Sequence, residues 1–164
     1  MDFDAAVAAE LHRLRWHRDD VSGTVLSGLD GMLVASDLPG VDAHHVAALA
    51  ATSFGLGQRF AETVGRGQLR EHVLRSACGF VISYPAGEHA LLSVVARPEA
   101  DPEVLGAEAH DLARRLGTIF DDRWRPAAEP SAGDPYAPLA LRTPMAALPD
   151  GLRTGFDLRL PPNF

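Results

Sequence analysis

Apolar residues recur at helical spacing in three segments of the chain, and short runs of β-forming residues lie between them. Val7, Leu11 and Leu14 share one side of a helix that is predicted over 3–18. Two β-forming runs then flank Asp30-Gly31, a dipeptide suited to a tight hairpin turn. The segment 21–37 is therefore predicted to be the first β-hairpin of a small sheet.

The longest predicted helix covers 43–64, with Asp42 as its N-cap. Large apolar residues on one side form its predicted core stripe: Val46, Leu49, Leu56, Phe60 and Val64. A second side carries small residues and one aromatic: Ala47, Ala48, Ala51, Phe54 and Gly55. Gly55 and Gly57 each cost about 1 kcal/mol relative to Ala inside a helix. Close approach of another helix is the favoured explanation, and simple tolerance of poor helix formers is the alternative.

Three further strands are predicted over 69–75, 80–84 and 89–96, with turns that contain Gly or Pro between them. The first of them has the charged composition of an edge strand. Charges at an edge usually discourage pairing with another sheet, although a defined dimer can use the same edge in register.

The last helix has the clearest start signal, Asp101-Pro102-Glu103, and is predicted to run to about residue 122. The predicted order is α-β-β-α-β-β-β-α. Antiparallel strands joined by short turns, with helices inserted between them, are typical of an α+β fold rather than a Rossmann-type fold.

The composition changes after residue 124, because eight of the twelve prolines lie in 126–164. No helical or alternating pattern persists there. We therefore expect one domain over 1–124 and a flexible or extended C-terminal tail over 125–164. A passive tail is favoured, and a short partner-binding or self-docking segment is the alternative.

Charge and composition exclude several classes of function. The net charge of −7 argues against nucleic-acid binding, and all fifteen basic residues are Arg. Without Lys, the chain has no phosphate-binding P-loop and no lysine Schiff base. No apolar run approaches the roughly 20 residues of a membrane span, so a cytoplasmic location is expected. Cys78 is the single cysteine, which excludes an intrachain disulfide and a cysteine-based zinc site.

No catalytic, cofactor-binding or metal-binding constellation emerges from the sequence. The segments 55–60 and 65–70 both begin G-x-G, but neither completes a dinucleotide-binding pattern. No pair of histidines has the i, i+4 spacing of a helical zinc site, and no serine lies in a G-x-S-x-G elbow. We therefore predict no cofactor, no metal and no enzymatic activity.

Four segments together carry a family resemblance: LSGLDGMLVAS, HHVAALAATSFGLGQRFAE, LREHVLRSACGFVISYPAGEHALLSVVA and VLGAEAHDLARRLG. In these segments and in the order of its elements, the chain resembles the roadblock (dynein light chain) family over about 3–120. It is most similar to actinobacterial members encoded beside a sensor kinase and a small Ras-like GTPase. The resemblance implies a five-stranded antiparallel sheet between the middle helix and the two terminal helices.

The resemblance also implies a homodimer formed through the middle helix and the edge strand, with a small Ras-like GTPase as partner and a sensor kinase complex as a further partner. The expected interface residues are Ala47, Ala51, Phe54, Gly55, Gln58, Arg59, Glu62, Leu69, Glu71, Val73 and Arg75.

The predicted function is that of a non-enzymatic dimeric regulator or scaffold for the GTPase. Modulation of GTP hydrolysis stays open, because Arg59 or Arg66 could serve as an arginine finger but a solvated role is favoured for both. The alternative is a PAS-like or profilin-like domain that senses a small molecule.

Overall fold

The computed structural model describes residues 3–124, which form three helices and five strands. They are α1 Phe3–His17, β1 Val21–Gly28, β2 Leu33–Asp37, α2 Ala43–Thr63, β3 His72–Ser76, β4 Gly79–Ala86, β5 Ala90–Ala96 and α3 Pro102–Trp124. The predicted tail over 125–164 lies outside the described residues, so the division into domain and tail stays a prediction. None of the described helices combines the length and apolar character needed to cross a bilayer.

The five strands form one antiparallel sheet in the order β2-β1-β5-β4-β3. The predicted α+β fold is confirmed, and β3 lies at an edge as expected. β3 begins at His72, however, so residues 69–71 of the predicted strand precede it. β5 occupies the centre, where it pairs with β1 on one side and β4 on the other.

Aspartate side chains mark the start of two helices and the first turn, as predicted. Asp42 Oδ1 accepts a hydrogen bond from the His44 amide at 3.0 Å, which caps α2. Asp101 Oδ1 accepts from the Glu103 amide at 2.9 Å at the start of α3. In the β1–β2 turn Asp30 Oδ1 accepts from the Met32 amide at 3.0 Å. Gly31 follows Asp30 with φ +84°, a backbone conformation that favours glycine.

One face of the sheet packs against α1 and α3 and forms the main core. Its buried side chains come from both layers and include Leu11, Leu26, Leu92, Leu105 and Leu112. Two glycines let α3 lie close to β4. A Cβ on Gly106 would lie 2.9 Å from the Tyr84 hydroxyl, and a Cβ on Gly117 would collide with the backbone N of Gly87.

The other face packs against α2 through the helix's small residues. Ala47, Ala51 and Phe54 are buried there. The prediction that Leu49, Leu56, Phe60 and Val64 belong to the core was wrong, because they are 53%, 66%, 70% and 49% exposed. Small side chains allow a helix to lie close to a sheet. The side of α2 that carries the alanines therefore packs against the sheet, and the side that carries the leucines stays exposed.

The close approach that explains these small residues occurs within the chain. A Cβ on Gly31 would lie 3.1 Å from Ala48 Cα, so the hairpin turn itself packs against α2. A Cβ on Gly57 would lie 2.9 Å from a methyl carbon of Leu69. Gly55, by contrast, has open space around it. Within the chain, therefore, these residues accommodate the turn and the segment before β3, not a second helix.

Candidate functional site

β3 is exposed at its edge and on both of its faces. His72 is half-buried, and the next four residues of the strand are exposed. Two of them are apolar, with Val73 37% and Leu74 48% exposed. A strand that pairs with one neighbour and leaves its apolar side chains in water is only weakly stabilised by its own chain. This surface is the strongest candidate for partner binding among the described residues.

On the α2 side of β3 lies an apolar groove of about 320 Å³. Its floor includes Leu74 and Val81, and one wall is formed by Val46 and Leu49 of α2. Helical spacing places Leu56 and Phe60 on the same side of α2 as Leu49. The exposed apolar stripe of α2 therefore borders the uncovered part of the sheet. We call the groove and this stripe the apolar groove surface.

The segment before β3 is held in place by α2. Gln58 Oε1 accepts a hydrogen bond from the Leu69 amide at 2.6 Å. The amide nitrogen of the same Gln58 side chain donates to Glu62 at 2.6 Å. Three of the predicted interface residues thus meet, but in a contact inside the chain that positions the edge strand.

The opposite face of β3 is held by a second contact. The Tyr84 hydroxyl donates to the Glu71 carboxylate at 2.8 Å. Burial, together with this hydrogen bond, raises the pKa of Tyr84 above its usual range. The Tyr84 ring also makes an edge contact with His110, with 5.5 Å between the ring centroids. Edge strand and α3 are therefore linked through one tyrosine.

A wider and more polar groove of about 730 Å³ lies between β3 and α3. Arg70 and Arg75 line one side of it, and Glu103 and His110 line the other. Arg75 lies over the Phe80 ring, with 5.5 Å from the guanidinium carbon to the ring centroid. Both faces of β3 therefore border open grooves, one apolar and one mixed in charge.

The predicted interface residues separate into two groups. Ala47, Ala51 and Phe54 are buried against the sheet of their own chain and present little surface to a partner. That they belong to a dimer interface stays a prediction. The others, from Gly55 to Arg75, lie around the C-terminal half of α2, the loop after it and β3. The structure brings that second group together along one edge of the domain.

Apart from Arg97, which follows β5, the arginines with described side chains separate into two groups. Those of α1, α3 and the α1–β1 turn lie 2.6 to 3.8 Å from a carboxylate oxygen: Arg13, Arg15, Arg18, Arg114 and Arg115. From the end of α2 to β3, four exposed arginines have no carboxylate oxygen within 4.0 Å among the described residues: Arg59, Arg66, Arg70 and Arg75. The edge near β3 therefore carries uncompensated positive charge on an acidic chain.

The sequence reading missed the most exposed apolar residues of the site. Leu49, Leu56 and Phe60 were assigned to the core, and Leu74 was assigned no role. The available signal was that α2 has two apolar sides, one of large and one of small residues, and only one can face the sheet. Within 3–122, no group of three His, Cys, Asp or Glu side chains is placed to hold a metal.

Comparisons with known proteins agree with this architecture. The family model described as the Roadblock/LC7 domain matches residues 7–96. A protein of Methanocaldococcus jannaschii, "Uncharacterized protein MJ0310", is 36% identical over 75 residues, which are 45% of this chain and 66% of that protein. The chain thus spans slightly less than two thirds of that relative.

Two solved structures share the fold. A Roadblock/LC7 domain from Streptomyces avermitilis superposes with a TM-score of 0.65 and 27% identity, covering 70% of this chain and 97% of that one. The structure "MglB with tetrameric arrangement" superposes with a TM-score of 0.68 and 19% identity, covering 74% of this chain and 93% of that one. At that identity the likeness to MglB supports the fold alone.

Proposed function

The chain belongs to the Roadblock/LC7 family, and from this we infer that it is a non-enzymatic homodimeric regulator or scaffold that binds a small Ras-like GTPase. The observation that carries the proposal is the exposed β3 edge with the apolar groove surface beside it. We place the complex in the bacterial cytoplasm, in association with a sensor kinase, as the resemblance in sequence implies.

The proposed dimer pairs the β3 strands of two copies antiparallel about a two-fold axis. Each β3 gains the neighbour it lacks, and two five-stranded sheets become one. The arrangement is isologous, so each copy offers the same surface to the other. Because the stripe of Leu49, Leu56 and Phe60 borders the β3 side, it would face the second copy and leave water on dimerisation. Removal of these large side chains from water is the main driving force of the proposal.

The uncompensated arginines favour a protein partner with an acidic surface. Arg59 lies near the C-terminal end of α2 and Arg66 in the loop after it, close in sequence to Val64, which is 49% exposed. Arginine side chains are enriched at the energetic centres of protein interfaces. We propose that this end of α2 contacts the GTPase, with Arg59 and Arg66 in a binding role.

A pair of charge insertions tests the dimer. Leu74 and Leu29 are 48% and 49% exposed, so Leu74→Asp and Leu29→Asp perturb the free chain similarly. We expect Leu74→Asp to raise the dimer dissociation constant at least about 30-fold, because burying a charge costs 2 kcal/mol or more. Leu29→Asp, in the β1–β2 turn, should leave it within about twofold of the wild type. Sedimentation equilibrium of the full-length protein measures both, and an equal effect of the two variants would contradict the interface.

GTPase binding is tested by affinity capture from a lysate of the source organism, in parallel buffers with GDP or a GTP analogue. We expect recovery of a small GTPase, and preference for one nucleotide state would set the direction of regulation. The double variant Arg59→Ala/Arg66→Ala should weaken capture about tenfold or more, whereas Arg97→Ala, also exposed and with no carboxylate within 4.0 Å among the described residues, should not. Absence of a GTPase from both eluates, with the dimer intact, would overturn this half of the proposal and favour a ligand-sensing role.

A further inference from the structure

The two helices on the α1/α3 face of the sheet leave β3 uncovered. α1 packs on β1 and β2, and α3 packs on β4 and β5. A helix with its side chains is about 10 Å across and neighbouring strands are about 4.8 Å apart, so two helices cover about four strands. Val73 and Arg75, which β3 directs to this face, are exposed. A third helix position beside α3 is therefore open to solvent.

The groove of about 730 Å³ between β3 and α3 lies at this position, and we call it the polar groove. Its floor carries the apolar side chains of Val73 and Ile82. On the α3 side the lining residues Gly106 and Ala107 are small. The volume lies within the range of about 300 to 1,000 Å³ that is typical of binding sites. The small residues of the α3 wall leave the sheet accessible to apolar side chains of a partner.

The two walls of the polar groove carry charges of opposite sign that do not pair with each other. Arg70 and Arg75, on the β3 wall, have no carboxylate oxygen within 4.0 Å among the described residues. Glu103, on the α3 wall, has no basic nitrogen within 4.0 Å in the same part of the chain. Glu71 also lines the groove, but its carboxylate accepts a hydrogen bond from a tyrosine hydroxyl. Because Arg75 is held over the Phe80 ring, its guanidinium is already positioned for a partner.

We propose that the polar groove binds an amphipathic helix of another protein, which lies beside α3 as a third helix of the layer. The apolar side of this helix packs on Val73 and Ile82. Its acidic flank faces Arg70 and Arg75, and its basic flank faces Glu103. A nucleic acid or an anionic membrane fits less well, because the α3 wall is acidic and the chain has a net charge of −7. The site uses a face of β3 that edge pairing leaves open, so it is independent of the dimer and of the GTPase contact.

The first test uses phage-displayed helical peptides of about 18 residues, or about five turns, as the probe. Each peptide has a fixed stripe of leucines, and its two flanks are randomised among Glu, Gln and Lys. Peptides that bind the variant Ala107→Trp, in which a large side chain occupies the polar groove, are removed first. Selection against the full-length wild type should then enrich peptides with Glu on one flank and Lys on the other. Enrichment of no peptide, or of peptides without this polarity, would overturn the proposal.

The second test titrates the selected peptide against full-length variants by fluorescence anisotropy. Arg70→Gln/Arg75→Gln should raise the peptide dissociation constant about tenfold, and Glu103→Gln should raise it about threefold, because each removes charge contacts from one wall. The matched controls are Arg97→Gln and Glu88→Gln, since both residues are exposed and neither lines the polar groove. Each control should stay within about twofold of the wild type. Equal effects of the groove variants and the controls would contradict the site.

Two variants from the proposed function separate that proposal from this one. Arg59→Ala/Arg66→Ala changes residues outside the polar groove, and Leu74→Asp changes the opposite face of β3. Peptide affinity should stay within about threefold of the wild type in both, even where dimerisation or GTPase capture is lost. Loss of peptide binding in Leu74→Asp would place the peptide on the apolar groove surface and overturn the inference. A chain that never dimerises but binds the peptide as described would contradict the dimer alone.

Discussion

The two faces of the sheet are built from similar strands but are completed in different ways. On the α1/α3 face, large aliphatic side chains of helix and sheet interlock, and Leu92, Leu105 and Leu116 have no exposed surface. On the α2 face, the helix contributes Ala47, Ala51 and Phe54 and leaves part of β3 and β4 uncovered. The first face is a closed core, whereas on the second face α2 buries two alanines and one phenylalanine and leaves Leu49, Leu56 and Phe60 exposed. The difference teaches that a helix can pack through one apolar side and keep a second apolar side available for a partner.

Truncating one leucine on each face should give the largest difference in the free energy of unfolding. Leu92→Ala removes a fully buried side chain and should lower the free energy of unfolding by about 3 kcal/mol, because a cavity remains. Leu56→Ala, at a position 66% exposed, should change it by less than about 0.5 kcal/mol. Both variants are best compared by urea unfolding in the Leu74→Asp background, where the proposed dimer is weakened. Similar losses for the two variants would contradict the contrast between the faces.

Replacing a helical glycine by alanine should destabilise the fold on one face and stabilise it on the other. Gly117→Ala places a Cβ against the backbone of Gly87 and should destabilise the fold by about 2 kcal/mol through overpacking. Gly55→Ala meets open space in α2 and should stabilise it by about 0.5 to 1 kcal/mol, because Ala is the better helix former. Thermal unfolding at matched concentration gives both values. A stabilising Gly117→Ala would show that α3 can move away from the β4–β5 turn at little cost.

The closed face also has an ionic contact whose effect depends on pH. Arg18 lies 2.6 Å from Asp20 and 2.9 Å from Glu108, linking the α1–β1 turn to α3. The hydrogen bond from Arg18 lowers the pKa of Asp20 from its ordinary 3.8, against the opposing effect of burial. The stabilisation is therefore fully present above about pH 3.8 and is lost as the pH falls through the lowered pKa.

Asp20→Asn removes this contribution and should cost about 1.5 kcal/mol at pH 7. It should also flatten the dependence of unfolding free energy on pH below pH 4, as followed by urea titrations across that range. Asp111→Asn is the control, since Asp111 is exposed and lies 3.8 Å from Arg114. If the unfolding free energy of Asp20→Asn falls as steeply below pH 4 as that of the wild type, the acid sensitivity comes from other carboxylates.

The smallest expected effect lies at the open edge. Tyr84→Phe removes the hydrogen bond to Glu71 and keeps the ring, so the segment just before β3 should lose one of its two side-chain hydrogen bonds without a cavity. We expect the dimer dissociation constant to rise about fivefold, which corresponds to about 1 kcal/mol. Hydrogen exchange of the β3 amides should become faster in parallel. Unchanged exchange would indicate that pairing with β4 and the Gln58 contact hold the strand without the Tyr84 hydrogen bond.

Much of the fold could be predicted because its signals are local. Asp42 and Asp101 cap helices through their own carboxylates, and Asp30-Gly31 forms a turn within four residues. The start of β3 at His72 could not be predicted, because the segment before it is fixed by Gln58, eleven residues away. The predicted interface residues from Gly55 to Arg75 lie together at one edge of the domain, whereas Ala47, Ala51 and Phe54 lie on the buried side of α2, and their role in an interface stays a prediction.

The sequence by itself determined the order of the elements, the hairpin turn and the positions of the helix starts, because each depends on neighbouring residues and on backbone conformation. The tertiary structure alone decided which side of α2 is buried. Both sides are apolar and both have helical spacing, so periodicity cannot separate them. The choice depends on packing between segments distant in sequence: the Gly31 turn lies close to Ala48, the side of α2 with Ala47, Ala51 and Phe54 is buried, and Leu49, Leu56 and Phe60 stay exposed.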